Sequence, residues 1–141
     1  MSAARLLMVD DEPAIGALVK KLAEGVGYEM EFTDQAEAFK LAYVSFQPDV
    51  VILDLAIPDT DGVELLDFLV LQNCRARVLL MSGIDPRIRD LVHRLGVARG
   101  LTMSGIIPKP VRAKVLRSVL RDIMDQVVAE APPGHLTMPR R

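Results

Sequence analysis

The sequence predicts an α/β fold in which a parallel five-stranded sheet is covered by helices on both faces. Two observations carry this expectation. Short apolar runs such as Val50-Val51-Ile52-Leu53 are too brief for buried helices and lack polar alternation, so they read as strands covered on both sides. Between them lie segments with apolar residues every three or four positions, the spacing of a helix laid against a sheet. Strands alternating with helices need crossover connections, and the sheet so formed is parallel and doubly wound.

The elements follow in order. Arg5 to Val9 supplies the first strand, which stops at Asp10-Asp11-Glu12. Pro13 suits the first turn of a helix, where its missing N–H has no partner to lose. Ile15, Leu18, Val19 and Leu22 form the buried face of that helix, and Gly25 and Gly27 are expected to end it. Tyr28 to Phe32 reads as a short edge strand because it carries Glu29 and Glu31. Asp34 with Glu37 resembles a capping box, and Phe39, Ala42, Tyr43 and Phe46 give the second helix its apolar face. Pro48 requires that this helix has ended by Gln47.

The central strand Val50–Leu53 ends on Asp54, and Pro58, Asp61 and Gly62 turn the chain into a third helix from about Gly62 to Gln72. Arg77 to Met81 is the fourth strand, stopping at Ser82-Gly83. Asp85-Pro86 caps a fourth helix marked by Ile88, Leu91, Val92 and Leu95. The stretch from Gly96 to Ser104 has no clear period, and Gly105-Ile106-Ile107 is a short fifth strand broken by Pro108-Lys109-Pro110. Val111, Val115, Val119, Ile123 and Val127 run along a fifth helix, and the adjoining stripe Leu116, Leu120, Met124 and Val128 is assigned to thicker core packing. Residues 1–128 are expected to form one domain, and 129–141 a disordered tail or linker stub.

Bulk properties exclude several classes. The chain has 141 residues, half of them apolar, which suits one domain with a proper core. A formal charge of -2 gives no overall nucleic-acid surface, and the basic group Lys109, Arg112, Lys114, Arg117 and Arg121 reads as a solvated helix face. Cys74 cannot form an internal disulfide and reads as a packing thiol in a reducing compartment. Neither His93 nor His135 has company at metal-ligand spacing. No apolar run is long enough for a membrane helix, so a cytoplasmic location is expected.

Chemistry gathers at one edge. In a parallel sheet the carboxyl ends of all strands lie together, and here they carry Asp10 and Asp11, Asp54, Ser82 and Lys109. Carboxylates about 4 Å apart repel by roughly 4 kcal/mol per pair at an effective dielectric near 20, so a shared cation is expected. Oxygen ligands of this kind suit Mg²⁺. A hydroxyl and an ammonium beside the metal make a clamp for a phosphoryl group, and Asp54 would then be the nucleophile that forms an acyl phosphate.

These residues carry a resemblance. Asp10-Asp11, the block from Asp54 to Gly62, Ser82 and Lys109-Pro110 resemble the receiver domain of bacterial two-component response regulators, of CheY-like type, over about Arg5 to Val128. The resemblance implies a flavodoxin-like (βα)5 sheet of order 2-1-3-4-5 and phosphorylation of Asp54 by a histidine kinase or histidine phosphotransfer protein. It implies Mg²⁺ held by Asp11, Asp54 and the carbonyl of Ala56, with Asp10 acting through water. Ser82, Lys109 and the amide of Ala56 would bind the phosphoryl group, and Pro110 would follow a cis peptide.

Two positions depart from the family pattern. Ile106 stands where the family usually has an aromatic switch residue, three positions before the lysine. The interval from Ser82 to Lys109 is longer than usual by about five residues, and Arg99 to Gly105 is similar to that region in receivers attached to cyclic-di-GMP phosphodiesterases. The expected role is a signalling domain, not an enzyme, whose surface on the fourth helix, fifth strand and fifth helix switches partner binding and could form a homodimer. Output would pass to a protein partner or a detached domain, with no direct nucleic-acid or membrane contact. The competing expectation is a degenerate receiver that acts as an interaction module without phosphorylation. Small residues at Ala56 and Gly83 suggest a short-lived phosphoaspartate.

Overall fold

The computed structural model describes residues 3–57, 62–83 and 85–130. The turn expected at Pro58 and Asp61, and the tail from Ala131 with its His135, lie outside the described residues. Five strands, β1 (Arg5–Val9), β2 (Glu29–Thr33), β3 (Val50–Asp54), β4 (Arg77–Ser82) and β5 (Thr102–Pro108), form one parallel sheet in the order β2-β1-β3-β4-β5. The helices are α1 (Pro13–Val26), α2 (Ala36–Phe46), α3 (Gly62–Leu71), α4 (Pro86–Ala98) and α5 (Ala113–Glu130). This is the doubly wound, flavodoxin-like arrangement.

The period of two along each strand divides the core into two layers. Leu6, Met8, Val50, Ile52, Leu79, Met81 and Ile107 face α1 and α5, where they meet Val19, Leu22, Leu116, Leu120 and Ile123. Leu7, Val9, Val51, Leu53, Val78 and Leu80 face α2, α3 and α4, against Phe39, Leu65, Leu66, Leu69 and Val92. Each fully buried leucine or isoleucine contributes about 1.5–3 kcal/mol, and both layers bear on the central strands β1, β3 and β4. Those strands fix where the acidic ends lie. No helix among the described residues is long and apolar enough to cross a membrane.

Several local expectations are corrected. Gly25 lies inside α1, and the helix stops at Gly27, whose φ of 123° lets its N–H reach the carbonyls of Ala23 and Glu24. The capping box at Asp34 and Glu37 does not form, because α2 starts one residue later, with Gln35 as its N-cap and no side-chain cap bond. On α4, Asp85 does cap, accepting the Arg87 N–H, but Ile88 and Leu91 are 51% and 59% exposed and only Val92 and Gly96 are buried. The helix is turned so that half of its apolar stripe meets solvent. At its far end, α5 passes the expected boundary at residue 128 and runs to Glu130.

β5 is longer than expected, because part of the aperiodic stretch belongs to it. Met103 pairs with Val78 and Gly105 with Leu79, so Ser104 is an extra residue that bulges the ladder. The bulge keeps the faces in step. With it, Ile106 joins the layer under α3 and α4 and Ile107 the layer under α5, whereas an unbulged strand would exchange them. The rest of the aperiodic stretch is the end of α4 and a short turn, held by the Arg99–Asp67 ion pair to α3.

Candidate functional site

The parallel order brings the carboxyl ends of β1, β3, β4 and β5 to one edge, in the sequence of the four strands. β1 delivers Asp10, which is fully buried, and β3 delivers Asp54, 2% exposed. From β5 comes Lys109. Its backbone N–H donates to the carbonyl of Ser82 at 2.9 Å, tying it to the end of β4, and the Lys109–Pro110 peptide that follows is cis. Ser82 is fully buried and lies opposite Pro108 in the ladder.

The Lys109 ammonium is the hub. Its Nζ lies 3.1 Å from Asp10 Oδ2, 3.3 Å from Asp54 Oδ2 and 3.2 Å from Glu12 Oε1. Asp54 Oδ1 accepts the Ala56 N–H at 3.0 Å, so the chain leaving β3 folds back over its own carboxylate. Asp10 Oδ1 accepts the Glu12 N–H at 2.8 Å. Asp10 Oδ2 is ion-paired with the ammonium and has no further hydrogen-bond partner among the described residues.

Charge and burial oppose one another here. Burial raises the Asp54 carboxyl above the ordinary aspartate value, and Asp10 pushes the same way, against the opposing pull of the Ala56 N–H and of Lys109. Burial would lower the Lys109 ammonium, but Asp10, Asp54 and Glu12 together hold it above its ordinary value. The acids therefore favour positive charge in the pocket.

A hard divalent cation fits this donor set. Asp10, Asp11 and Glu12 can each offer a carboxylate oxygen, all within 4.8 Å of one another, and Asp10 Oδ2, whose one close partner among the described residues is the Lys109 ammonium, belongs to the same group of residues. Asp11 and Glu12 are exposed, so that side of the cluster is open to solvent. Asp54 is not within that tight group and joins it through Lys109. Glu12 was not singled out by sequence reasoning. Its signal was present as the third acid of Asp10-Asp11-Glu12, but that position also reads as an ordinary start to α1.

Ile106 sits half-buried on β5, packed against the layer under α3 and α4. Beside the pocket, a Cβ added at Gly83 would stand 3.5 Å from Lys109 Cβ. Ala56 is exposed at the rim. His93 is half-buried on α4.

Comparison with known proteins identifies the arrangement. A sequence model described as "Response regulator receiver domain" matches residues 6–121. The transcriptional regulatory protein YvcP of Bacillus subtilis is 34% identical over 134 residues, which is 92% of this chain and 52% of that protein. The alkaline phosphatase synthesis transcriptional regulatory protein PhoP of the same species is 30% identical over 83% of this chain and 48% of its own length. The chain thus spans about half the length of these curated relatives. Among solved structures, a response regulator from Colwellia psychrerythraea is 28% identical with a TM-score of 0.76, covering 89% of this chain and 99% of that one. A CheY-like receiver domain protein from Methanospirillum hungatei is 25% identical, with a TM-score of 0.76 over 92% of this chain and 100% of that one.

Proposed function

The chain belongs to the family of response regulator receiver domains, and from that premise we propose that it accepts a phosphoryl group on Asp54 and switches a binding surface in response. The observation that carries this is the buried Asp54 carboxylate held between the Lys109 ammonium and the Ala56 N–H at the open edge of the sheet.

A carboxylate oxygen of Asp54 attacks the phosphorus of the donor and forms an acyl phosphate. The bond from phosphorus to the donor's nitrogen or oxygen breaks, and the electron pair leaves with that atom. Lys109 is already at hydrogen-bonding distance from Asp54 and would follow the phosphoryl oxygens, with the Ala56 N–H and the Ser82 hydroxyl as further donors. Asp10, Asp11, Asp54 and the Ala56 carbonyl would hold Mg²⁺, which when bound neutralises charge on the phosphoryl oxygens.

The donor would be a histidine kinase or a histidine phosphotransfer protein, and the readout a protein partner or an output domain. PhoP and YvcP are described as transcriptional regulatory proteins, so a DNA-binding output elsewhere in the whole protein is compatible with this reading. The α4–β5–α5 face supports a switching role, because it exposes Ile88 and Leu91 on α4 and Val115 on α5. Ile106 favours a second reading, a module that binds partners without phosphorylation, since an aliphatic side chain packed on the core cannot act as an aromatic rotor.

Intact-mass measurement after incubation with acetyl phosphate and Mg²⁺ separates the two. One phosphoryl adduct, lost in Asp54→Asn and with a chelator, is the expected result. No adduct and no beryllofluoride binding would leave the interaction module as the better reading.

A further inference from the structure

The Lys109 ammonium is bracketed by unequal partners. Asp10 and Asp54 approach it from the interior with side chains at 0% exposure, whereas Glu12 approaches from solvent with its side chain 58% exposed. Glu12 is well anchored for this. It is the N-cap residue of α1, its N–H donates to Asp10 Oδ1, and its carbonyl accepts from Ile15 and Gly16. The side chain is therefore delivered to the mouth of the pocket by a fixed backbone.

Counting charge shows what it does there. Among the described residues, Asp10, Glu12 and Asp54 surround the Lys109 ammonium and Asp11 lies beside Asp10 and Glu12, so four acids share one cation and three negative charges are in excess when all are ionised. A divalent ion removes two of them. One remains, and of the four acids Glu12 is the one that the proposed phosphotransfer does not use. We infer that Glu12 is a specificity-determining residue that holds the outer side of Lys109 and keeps the pocket mouth net negative once a divalent ion is bound, so that small phosphodonors are disfavoured in proportion to their own charge.

This rests on the phosphoacceptor reading of Asp54. A protein donor brings further contacts that offset one unit of repulsion, and a free acyl phosphate does not. Glu12 thereby favours transfer from a protein over spontaneous phosphorylation by small metabolites.

The test compares adduct formation on wild type, Glu12→Gln and Glu12→Asp, with acetyl phosphate, a dianion near neutral pH, and phosphoramidate, a monoanion. Mg²⁺ is kept saturating for each variant, as checked by titration. Glu12→Gln is expected to raise the second-order rate constant with acetyl phosphate by about threefold to tenfold at low ionic strength, the scale of a partly screened charge contact. With phosphoramidate the gain should be smaller by about the square root of that factor, since half the charge is repelled. Added salt should erase the difference, and Glu12→Asp should track wild type. Equal changes with both donors, no change, or a gain that persists in high salt would overturn the inference. Loss of adduct in wild type with both donors would instead remove the phosphoacceptor function itself, and Glu12's role with it.

Discussion

Lys109 Nζ lies 3.3 Å from Asp54 Oδ2, joining the end of the last strand to the end of the central one across 55 residues of chain. That pair, with Asp10 added at 3.1 Å, leaves two buried carboxylates dependent on one cation. Lys109→Met is therefore expected to destabilise the metal-free protein by about 2–4 kcal/mol at neutral pH, since it strands charges the fold has already desolvated. The sign with pH is definite. A lysine held above its ordinary value stabilises fully below the unfolded value near 10.4, and that contribution is lost as pH rises through the folded value. Urea denaturation of both proteins from about pH 6 to about pH 11 should show a gap that stays constant up to about the unfolded value and only begins to narrow at the alkaline end.

Asp54 behaves in the opposite sense. Its carboxyl is raised by burial and by Asp10, so the folded protein releases this proton later than the unfolded chain does. Stability is then highest below the unfolded value, near 3.9, and falls as pH rises through the folded one. Asp54→Asn removes that loss and should stabilise the metal-free protein at neutral pH by about 1 kcal/mol, the scale of one partly compensated buried charge. Mg²⁺ should raise the melting temperature of wild type by mass action, and of Asp54→Asn by less. An Asn variant less stable than wild type without metal would show that Lys109 outweighs the repulsion.

Much of this pocket was legible in the sequence because β1, β3 and β4 are covered on both faces. Their apolar runs end abruptly, and the residue after each end is the functional one. β5 was less legible. It faces solvent along one edge, and its bulge at Ser104 puts Ser and Gly where a strand pattern needs apolar residues, so only Gly105 to Ile107 stood out. The α4 stripe misled for a different reason: periodicity locates an apolar face but does not say whether neighbours cover it, and Ile88 and Leu91 are left bare. Glu12 could not be placed from spacing, since its partner Lys109 is 97 residues away.

The two glycines of α1 should respond to alanine with opposite signs. Gly25 is helical and a Cβ there meets nothing within 4 Å, so Gly25→Ala should stabilise by about 0.5–1 kcal/mol through helix propensity and lost unfolded-state freedom. Gly16 is buried against β2, and a Cβ there would come within 2.5 Å of the Phe32 ring. Gly16→Ala should destabilise by about 1–3 kcal/mol, because the ring must swing out of the gap between α1 and the edge strand. Thermal melts of the two variants suffice.

The Ser104 bulge makes the last prediction. Val78 pairs with Met103 and Leu79 with Gly105, so the residues on either side of Ser104 already face consecutive positions of β4. Deleting Ser104 leaves each remaining residue on its present face: Met103 and Ile106 under α4, Ile107 under α5. The shortened chain should fold cooperatively and lose no more than about 1 kcal/mol, the order of one ladder hydrogen bond rearranged. Deleting Ile106 instead pulls Ile107 out of the α5 layer or drags Lys109 back from Asp54, and should abolish either cooperative unfolding or phosphoryl acceptance. Paired denaturation and acetyl phosphate assays on the two deletions decide whether Ser104 is a dispensable looped-out residue or a necessary part of the strand. A Ser104 deletion that unfolds the protein would settle it in favour of the second.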